Sequence, residues 1–316
     1  MAFVVDGSEW NFNGWQISEV REKIDAFLDF IGICRDGDQI VWIGDDFQTR
    51  SMFDGHDLWT IASVGGVLGL DVEMVQELAA WLMQAPSYLD EDNWPNNLDD
   101  AAVSIDGGEK QENLDVAWVH YWTRLRRPLA CIGMRRSGRF PTITAIGAAH
   151  VHWVRDGAGR PSFWREAIVI AGDSEDSLRR FASGAYPSLL FHDGALDGLR
   201  DLGGGYLALR NEIKRALQIL DEGGASAFTD PPVTNQNIQH RFRNLGLNVA
   251  PENPNVYLNG NCRIAREISI DGTNLYCEWH VKIEPHRNRI HIHPPTLSSQ
   301  DRLIVAIIHD HLPLPG

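Results

Sequence analysis

The chain is predicted to be an α+β protein: a mixed, acidic N-terminal domain followed by a small C-terminal module made of one helix and an antiparallel β-meander. Three observations predict this. Helical apolar spacing and short strand-like runs intermingle through residues 1–225. A stretch rich in break residues follows at 223–237 (GGASAFTDPPVTNQN). Beyond it, residues 275–283 and 288–293 alternate apolar and polar at the period of a half-buried strand. The predicted division is residues 1–225, a linker at 226–237, and a histidine-rich sheet module at 238–316.

Taken in order, residues 17–30 (ISEVREKIDAFLDF) place Val20, Ile24, Phe27 and Leu28 on one helical face. Residues 38–46 (DQIVWIGDD) read as a strand ending in a turn, and 71–83 as a second amphipathic helix with Asp71 at its N-cap. Residues 86–112 read as an acidic surface loop. From 114 to 170 the character is β, with strands expected at 117–122, 129–134, 142–154 and 163–170, separated by Arg-Pro, Ser-Gly and Asp-Gly breaks. Helices are expected at 173–182, 206–220 and 239–247.

The 316 residues carry a formal net charge of −15. The deficit is uneven: residues 241–316 hold eight Lys+Arg against seven Asp+Glu, and the first 240 hold 20 against 36. A chain this acidic is a poor non-specific nucleic-acid binder, because neutralising phosphates needs clustered cations. Cys34, Cys131, Cys262 and Cys277 show no Cys-x-x-Cys spacing, which argues against a zinc ribbon, a redox motif or a disulfide framework. The N-terminus lacks the basic flank and apolar run of a signal peptide, and no apolar stretch approaches the roughly 20 residues of a membrane span. The expected setting is a reducing cytoplasm, with no membrane partner. The eleven tryptophans read as core or interface anchors, and the Trp-rich acidic domain is the expected contact for a protein partner.

Six of the twelve histidines fall between His280 and His311. Strand parity puts Trp279, Val281, Ile290 and Ile292 on one face of a hairpin closed by the turn at 284–287. The other face then gathers Glu278, His280, Lys282, Arg289, His291 and His293. Histidine titrates near neutrality and is the commonest metal ligand, so this face is the candidate site.

Two main chemistries fit it. Metal-free RNA cleavage needs a base for the 2′-hydroxyl, cations for the phosphate and an acid for the leaving oxygen. Glu278 or His280 would be the base, Lys282, Arg287 and Arg289 the phosphate clamps, and His291, His293 or His311 the acid; no cofactor is implied. Alternatively, His291 and His293 on one strand, completed by His280 or Glu278, would hold a divalent metal in a three-ligand facial site. A further variant pairs Glu278 and Lys282 with Asp271, but the Glu-Trp-His-Val-Lys spacing departs from the Glu-x-Lys of metal-dependent restriction-type nucleases. The plain alternative is a solvated sheet face, on which Glu, Lys, Arg and His are ordinary.

Arg289-Ile-His-Ile-His293, the aliphatic run 303–308 and His309-Asp-His311 resemble, in that order, the final strands and basic C-terminus of RelE-type toxins, the small ribonucleases of toxin–antitoxin modules. The resemblance covers residues 238–316. It implies a toxin-like nuclease acting on RNA in bacterial conflict or antiphage defence, regulated by the acidic domain. Family toxins are strongly basic and free-standing, whereas this segment is near neutral and fused to a large acidic domain. The competing expectation is a non-catalytic binding or scaffold subunit of a multiprotein complex.

Among other features, residues 124–139 carry six arginines, which read first as offsets to nearby Asp and Glu, with the Arg135-Arg136-Ser137-Gly138-Arg139 turn the best secondary candidate for phosphates or an acidic partner. His150-Val-His152 reads as a core or edge pair, Gly203–Gly205 as a tight turn, and Gly44-Asp45-Asp46 equally as an ordinary turn or as paired carboxylates for a metal.

Overall fold

The computed structural model describes residues 2–63, 65–90 and 101–315. They form an α+β protein in two compact units, Met1–Ala171 and Gly172–Gly316, each built on its own main sheet. The division falls at Ala171/Gly172 and not at 226–237.

In the N-terminal unit, β1 (Ala2–Val5) leads to α1 (Ile17–Asp36), β2 (Ile40–Trp42), α2 (Leu58–Ile61) and α3 (Val72–Leu82). Then come β3 (Ala102–Ile105), β4 (Gln111–Glu112), α4 (Leu114–Arg124), β5 (Leu129–Ile132), β6 (Gly138–Thr144), β7 (Gly147–Val154) and α5 (Arg160–Ile170). The sheet runs β2-β1-β5-β7-β6-β3-β4; its first four strands are parallel and the remainder antiparallel. Strand parity splits the core. Phe3, Val5, Ala130 and Ile132 pack with α1, α3 and Phe163 of α5 on one face. Val4, Leu129 and Cys131 pack with Trp118 and Trp122 of α4 on the other. As expected, Asp71 caps α3, accepting from the Met74 N–H at 2.8 Å.

Two expected strands are helices. Residues 117–122 lie in α4, capped by Asn113, and Val116, Ala117, Trp118, Val119, His120 and Trp122 are all buried. A helix enclosed on nearly every side shows no polar stripe, which makes a short apolar run ambiguous between helix and strand. Residues 163–170 lie in α5, where Pro161 stands in the first turn, the place a helix tolerates it. The expected strand at 142–154 is a hairpin of β6 and β7 turning at Thr144–Gly147. Of the acidic loop expected at 86–112, residues 91–100 lie outside the described residues, and β3 and β4 occupy part of the rest.

The C-terminal unit opens with α6 (Glu175–Ala185), β8 (Leu189–Phe191), α7 (Tyr206–Thr229), α8 (Asn235–Asn244) and β9 (Val249–Pro251). It continues with α9 (Pro254–Leu258), α10 (Gly260–Ile264), β10 (Glu267–Ile270), β11 (Thr273–Tyr276), β12 (Trp279–Lys282), β13 (Arg289–His293) and β14 (Leu303–His309). The five-stranded sheet runs β8-β14-β13-β12-β9, and β10–β11 form a separate hairpin. The residues expected to be a linker are helical through Thr229 and again from Asn235. Gly223-Gly224, which read as a break, is a packing contact. A Cβ on Gly224 would meet Leu303 Cδ2 at 2.6 Å, so glycine lets α7 approach β14 closely. The apolar sheet face packs on these helices, with Trp279 edge-on to Phe228 at 5.4 Å and Phe228 edge-on to Phe242 at 5.2 Å.

Candidate metal centre

The β12–β13 hairpin has the predicted register, with His280 opposite His291 and Lys282 opposite Arg289. Across an antiparallel pair, directly opposed side chains share a face within contact distance, and the two imidazole centroids are 5.6 Å apart. Ile283 N–H donates to the Asn288 carbonyl to close the turn, and the Asn288 side chain ties it to Gly203 at 2.9 and 3.0 Å.

Glu278 is not on this face. The expected strand 275–283 breaks at Cys277–Glu278: Thr273–Tyr276 leaves to pair with β10, and only Trp279–Lys282 stays in the main sheet. Glu278 is exposed, and its contribution is its carbonyl, which accepts from the Glu252 N–H at 2.6 Å. That bond sets the carboxylate that sequence reasoning missed. β9 pairs with β12, Ala250 opposite His280, and ends at Pro251, which needs no ladder donor at an edge. The next residue, Glu252, lies over the two imidazoles.

Glu252 Oε1 is 3.6 Å from His280 Nδ1 and 3.8 Å from His291 Nδ1, and one ligand atom from each residue lies within 4.8 Å of the others. Arg266, whose side chain is 2% exposed, donates from Nε to the same oxygen at 2.8 Å and from Nη1 to the Cys262 and Pro313 carbonyls at 3.0 Å each. The buried guanidinium therefore orients the carboxylate. A carboxylate offers about four lone-pair directions, of which Arg266 takes one.

Burial pushes the His280 imidazole down to about 4, against the pull of Glu252, and drives His291 well below its ordinary value, with His280 adding to the effect. Both rings are neutral at pH 7. Neither Nδ1 has a hydrogen-bond partner, and the nearby Tyr276 hydroxyl is also buried without one. Leaving a buried polar atom unpaired costs roughly 1–3 kcal/mol. Two neutral imidazole nitrogens and a carboxylate oxygen are the donor set of a three-ligand divalent centre. Metal–ligand bonds of about 2.0–2.2 Å place tetrahedral donors roughly 3.4 Å apart, so the observed spacings need only a small contraction.

The remaining sequence candidates are not drawn into this group. His293 carries its own bond, Nδ1 to the Pro294 carbonyl at 2.8 Å, so the expected triad of His280, His291 and His293 is replaced by His280, His291 and Glu252. His311 is exposed, with Nδ1 on the Leu312 carbonyl at 2.9 Å. Arg287 pairs with Glu284 at 2.9 Å on the outside of the turn. Arg289 holds the turn itself, donating to the Glu284 and Arg287 carbonyls at 2.7 Å each. Lys282 and Arg289 line a cleft of about 400 Å³ with Asn248 and His286. Asp271 sits in the β10–β11 turn with φ 48°, away from the group.

Elsewhere, His152 is buried against Phe163 while His150 is exposed, on a strand that lies between β5 and β6 inside the sheet. All four cysteines are free and buried, and burial pushes the Cys34 and Cys277 thiols up to about 12, which removes them as nucleophiles. The chain matches no family model, and no curated protein or solved structure is significantly similar to it.

Proposed function

We propose that the C-terminal unit is a metal-dependent nuclease, with RNA as the substrate class. Glu252, His280 and His291 would hold one divalent cation, and the Lys282 cleft would take a phosphate. The observation that carries this reading is the pair of unpartnered, buried Nδ1 atoms converging on one carboxylate oxygen. A bound divalent metal supplies Lewis acidity and lowers the pKa of a coordinated water toward 7. The chain's part is to keep both imidazoles neutral by burial and to orient Glu252 through Arg266. Glu252 and His280 keep side-chain exposures of 11% and 9%, against 1% for His291, so approach is from the Glu252–His280 side.

Neutral, enclosed imidazoles weaken the metal-free acid–base scheme, which needs a protonated histidine near pH 7. A toxin-like role in bacterial conflict or antiphage defence, in the cytoplasm and with a protein partner on the Trp-rich unit, accompanies this proposal and rests on the resemblance to RelE-type toxins. Among the described residues no helix is long and apolar enough to cross a membrane.

A second reading is a non-catalytic scaffold subunit, favoured by the Arg266–Glu252 ion pair, which by itself makes the cluster a packed polar core. Assay of the purified full chain on end-labelled RNA separates the two. The nuclease reading expects cleavage that chelator abolishes, that Mn²⁺ or Zn²⁺ restores, and that His280→Ala and His291→Ala reduce at least 100-fold with folding intact. Cleavage unchanged in both variants, or none with any of these metals, favours the scaffold.

A further inference from the structure

A second polar centre lies in the N-terminal unit, where the carboxyl ends of three parallel strands meet. β1 runs on into Asp6-Gly7-Ser8-Glu9, β5 into Gly133-Met134-Arg135-Arg136 and β7 into Arg155. β1 leads through α1 to β2 on one side, whereas its other neighbour β5 leads on to β6 and β7 on the opposite side, so the connections of these two adjacent strands run in opposite directions. In open α/β sheets, ligands bind in the crevice outside such a reversal point. A cavity of about 490 Å³ occupies this place, lined by Arg135, Arg136, Arg155, Ser137, Gln111 and Phe140 among others. That volume suits a small-molecule ligand.

The charges there are ordered. Glu9 is buried and accepts from the Arg135 N–H at 2.7 Å, the Arg136 N–H at 3.1 Å and Arg136 Nη1 at 2.7 Å. Gly133 makes room for it, since a Cβ there would meet Glu9 Oε2 at 2.5 Å. Arg136 is thus neutralised inside the wall. Arg135 is held by the Asn11 carbonyl at 2.7 Å and by Trp15, whose ring centre lies 4.9 Å from the guanidinium carbon. The carboxylate recorded beside Arg155 is Asp156, 3.9 Å away at the limit of an ion pair. In a chain of net charge −15, this crevice presents two guanidinium groups beyond the one that balances Glu9.

We infer that this crevice binds the phosphate of a nucleotide. Arg135 and Arg155 grip the anion, in the planar forked geometry that suits guanidinium to phosphate. The Ser137 hydroxyl donates to it, and Phe140 offers a ring face to the base. The inference does not rest on the reading of the Glu252–His280–His291 group, and its test keeps the two apart. The shared chemistry is a nucleoside 5′-phosphate, whether free or at the end of an RNA.

Calorimetry on the full chain would titrate the four ribonucleoside 5′-diphosphates, adenosine, and a short oligoribonucleotide with or without a 5′-phosphate. The expected result is saturable binding of at least one nucleoside diphosphate or of the 5′-phosphorylated oligonucleotide, and which of them binds names the source. In metal-stripped protein, so that no cleavage contributes heat, adenosine stays silent and the 5′-hydroxyl oligonucleotide binds no more tightly to the wild type than to Arg155→Glu. Affinity falls tenfold or more in Arg155→Glu and Arg135→Ala and is unchanged in His291→Ala. Arg136→Ala is avoided because it would leave Glu9 buried without its cation. No saturable binding by any phosphate-bearing probe would overturn the inference. So would binding indifferent to Arg155→Glu, or binding lost in His291→Ala but kept in Arg155→Glu.

Discussion

The two polar centres of this protein are built on opposite principles. In the N-terminal unit every buried carboxylate is answered by the polypeptide. Asp6 accepts from Trp153 Nε1, Asn113 Nδ2 and Ser8, Asp115 from Gly7, Arg50 and Tyr88, and Glu9 from Arg135 and Arg136. In the C-terminal unit Glu252 is answered by Arg266, but the Nδ1 atoms of the two imidazoles turned toward it have no partner among the described residues. Satisfied networks rigidify a scaffold, whereas unpartnered nitrogens that converge on one carboxylate leave room for a ligand; the unpartnered His152 Nδ1 of the N-terminal unit lies in no such group.

The largest test of this contrast is Glu252→Ala. It leaves Arg266 buried without its carboxylate, and breaking a buried pair from one side costs about 3–5 kcal/mol. Chemical denaturation of the metal-free chain should show the C-terminal unit destabilised by that order. Asp6→Ala should cost the N-terminal unit roughly 1–3 kcal/mol, because it strands the buried Trp153 Nε1 while Asn113 Nδ2 keeps the Ser8 hydroxyl. His291→Phe should be close to neutral in the metal-free protein, because it replaces an unpartnered imidazole by an apolar ring of similar size. Equal losses in Asp6→Ala and His291→Phe would break the comparison.

Acidification sharpens it. Burial pushes His280 down to about 4 and drives His291 well below the roughly 6.5 of an unfolded histidine. Between those values the unfolded chain binds protons that the folded one refuses. Stability is therefore full above about pH 6.5 and falls as pH drops toward 4, by up to about 1.4 kcal/mol per pH unit for each histidine. The N-terminal unit also holds two such residues, His120 and His152, each pushed down to about 4 by burial. There Asp115 works against them. Burial raises it to about 6, so it is disfavoured when ionised and regains stability as pH falls through 6 toward 4. Hydrogen-exchange mass spectrometry from pH 7 to 4 should find protection lost first in residues 172–316. Earlier loss in residues 2–171 would contradict this.

How much of this was legible in the sequence depended on whether the determining contact was local. The His280–His291 and Lys282–Arg289 pairings follow from strand parity and a short turn, both visible in the chain. The break at Cys277–Glu278 does not, because alternation continues through it. What ends the strand is tertiary, with the Cys277 N–H donating to the Arg266 carbonyl at 2.9 Å. Glu252 was out of reach for the same reason: it enters through a three-residue strand whose pairing is non-local. A carboxylate after a proline-ended apolar run was its only sequence trace. Enclosure hid α4, and Gly223-Gly224 imitated a linker because small residues serve close packing as well as breaks.

A modest loss calibrates the scale away from both centres. Asp71→Ala removes the cap of α3 and should cost about 1 kcal/mol by thermal denaturation.

The most direct measurement is an equilibrium titration of metal-stripped, full-length protein with Zn²⁺ and Mn²⁺, followed by calorimetry and by histidine-ring NMR. One equivalent of at least one of these ions should bind, with the Nδ1 signals of both His280 and His291 shifting together, and that equivalent should be lost in His291→Phe. No saturable equivalent of either metal, or an equivalent that survives His291→Phe, would contradict the metal-centre reading.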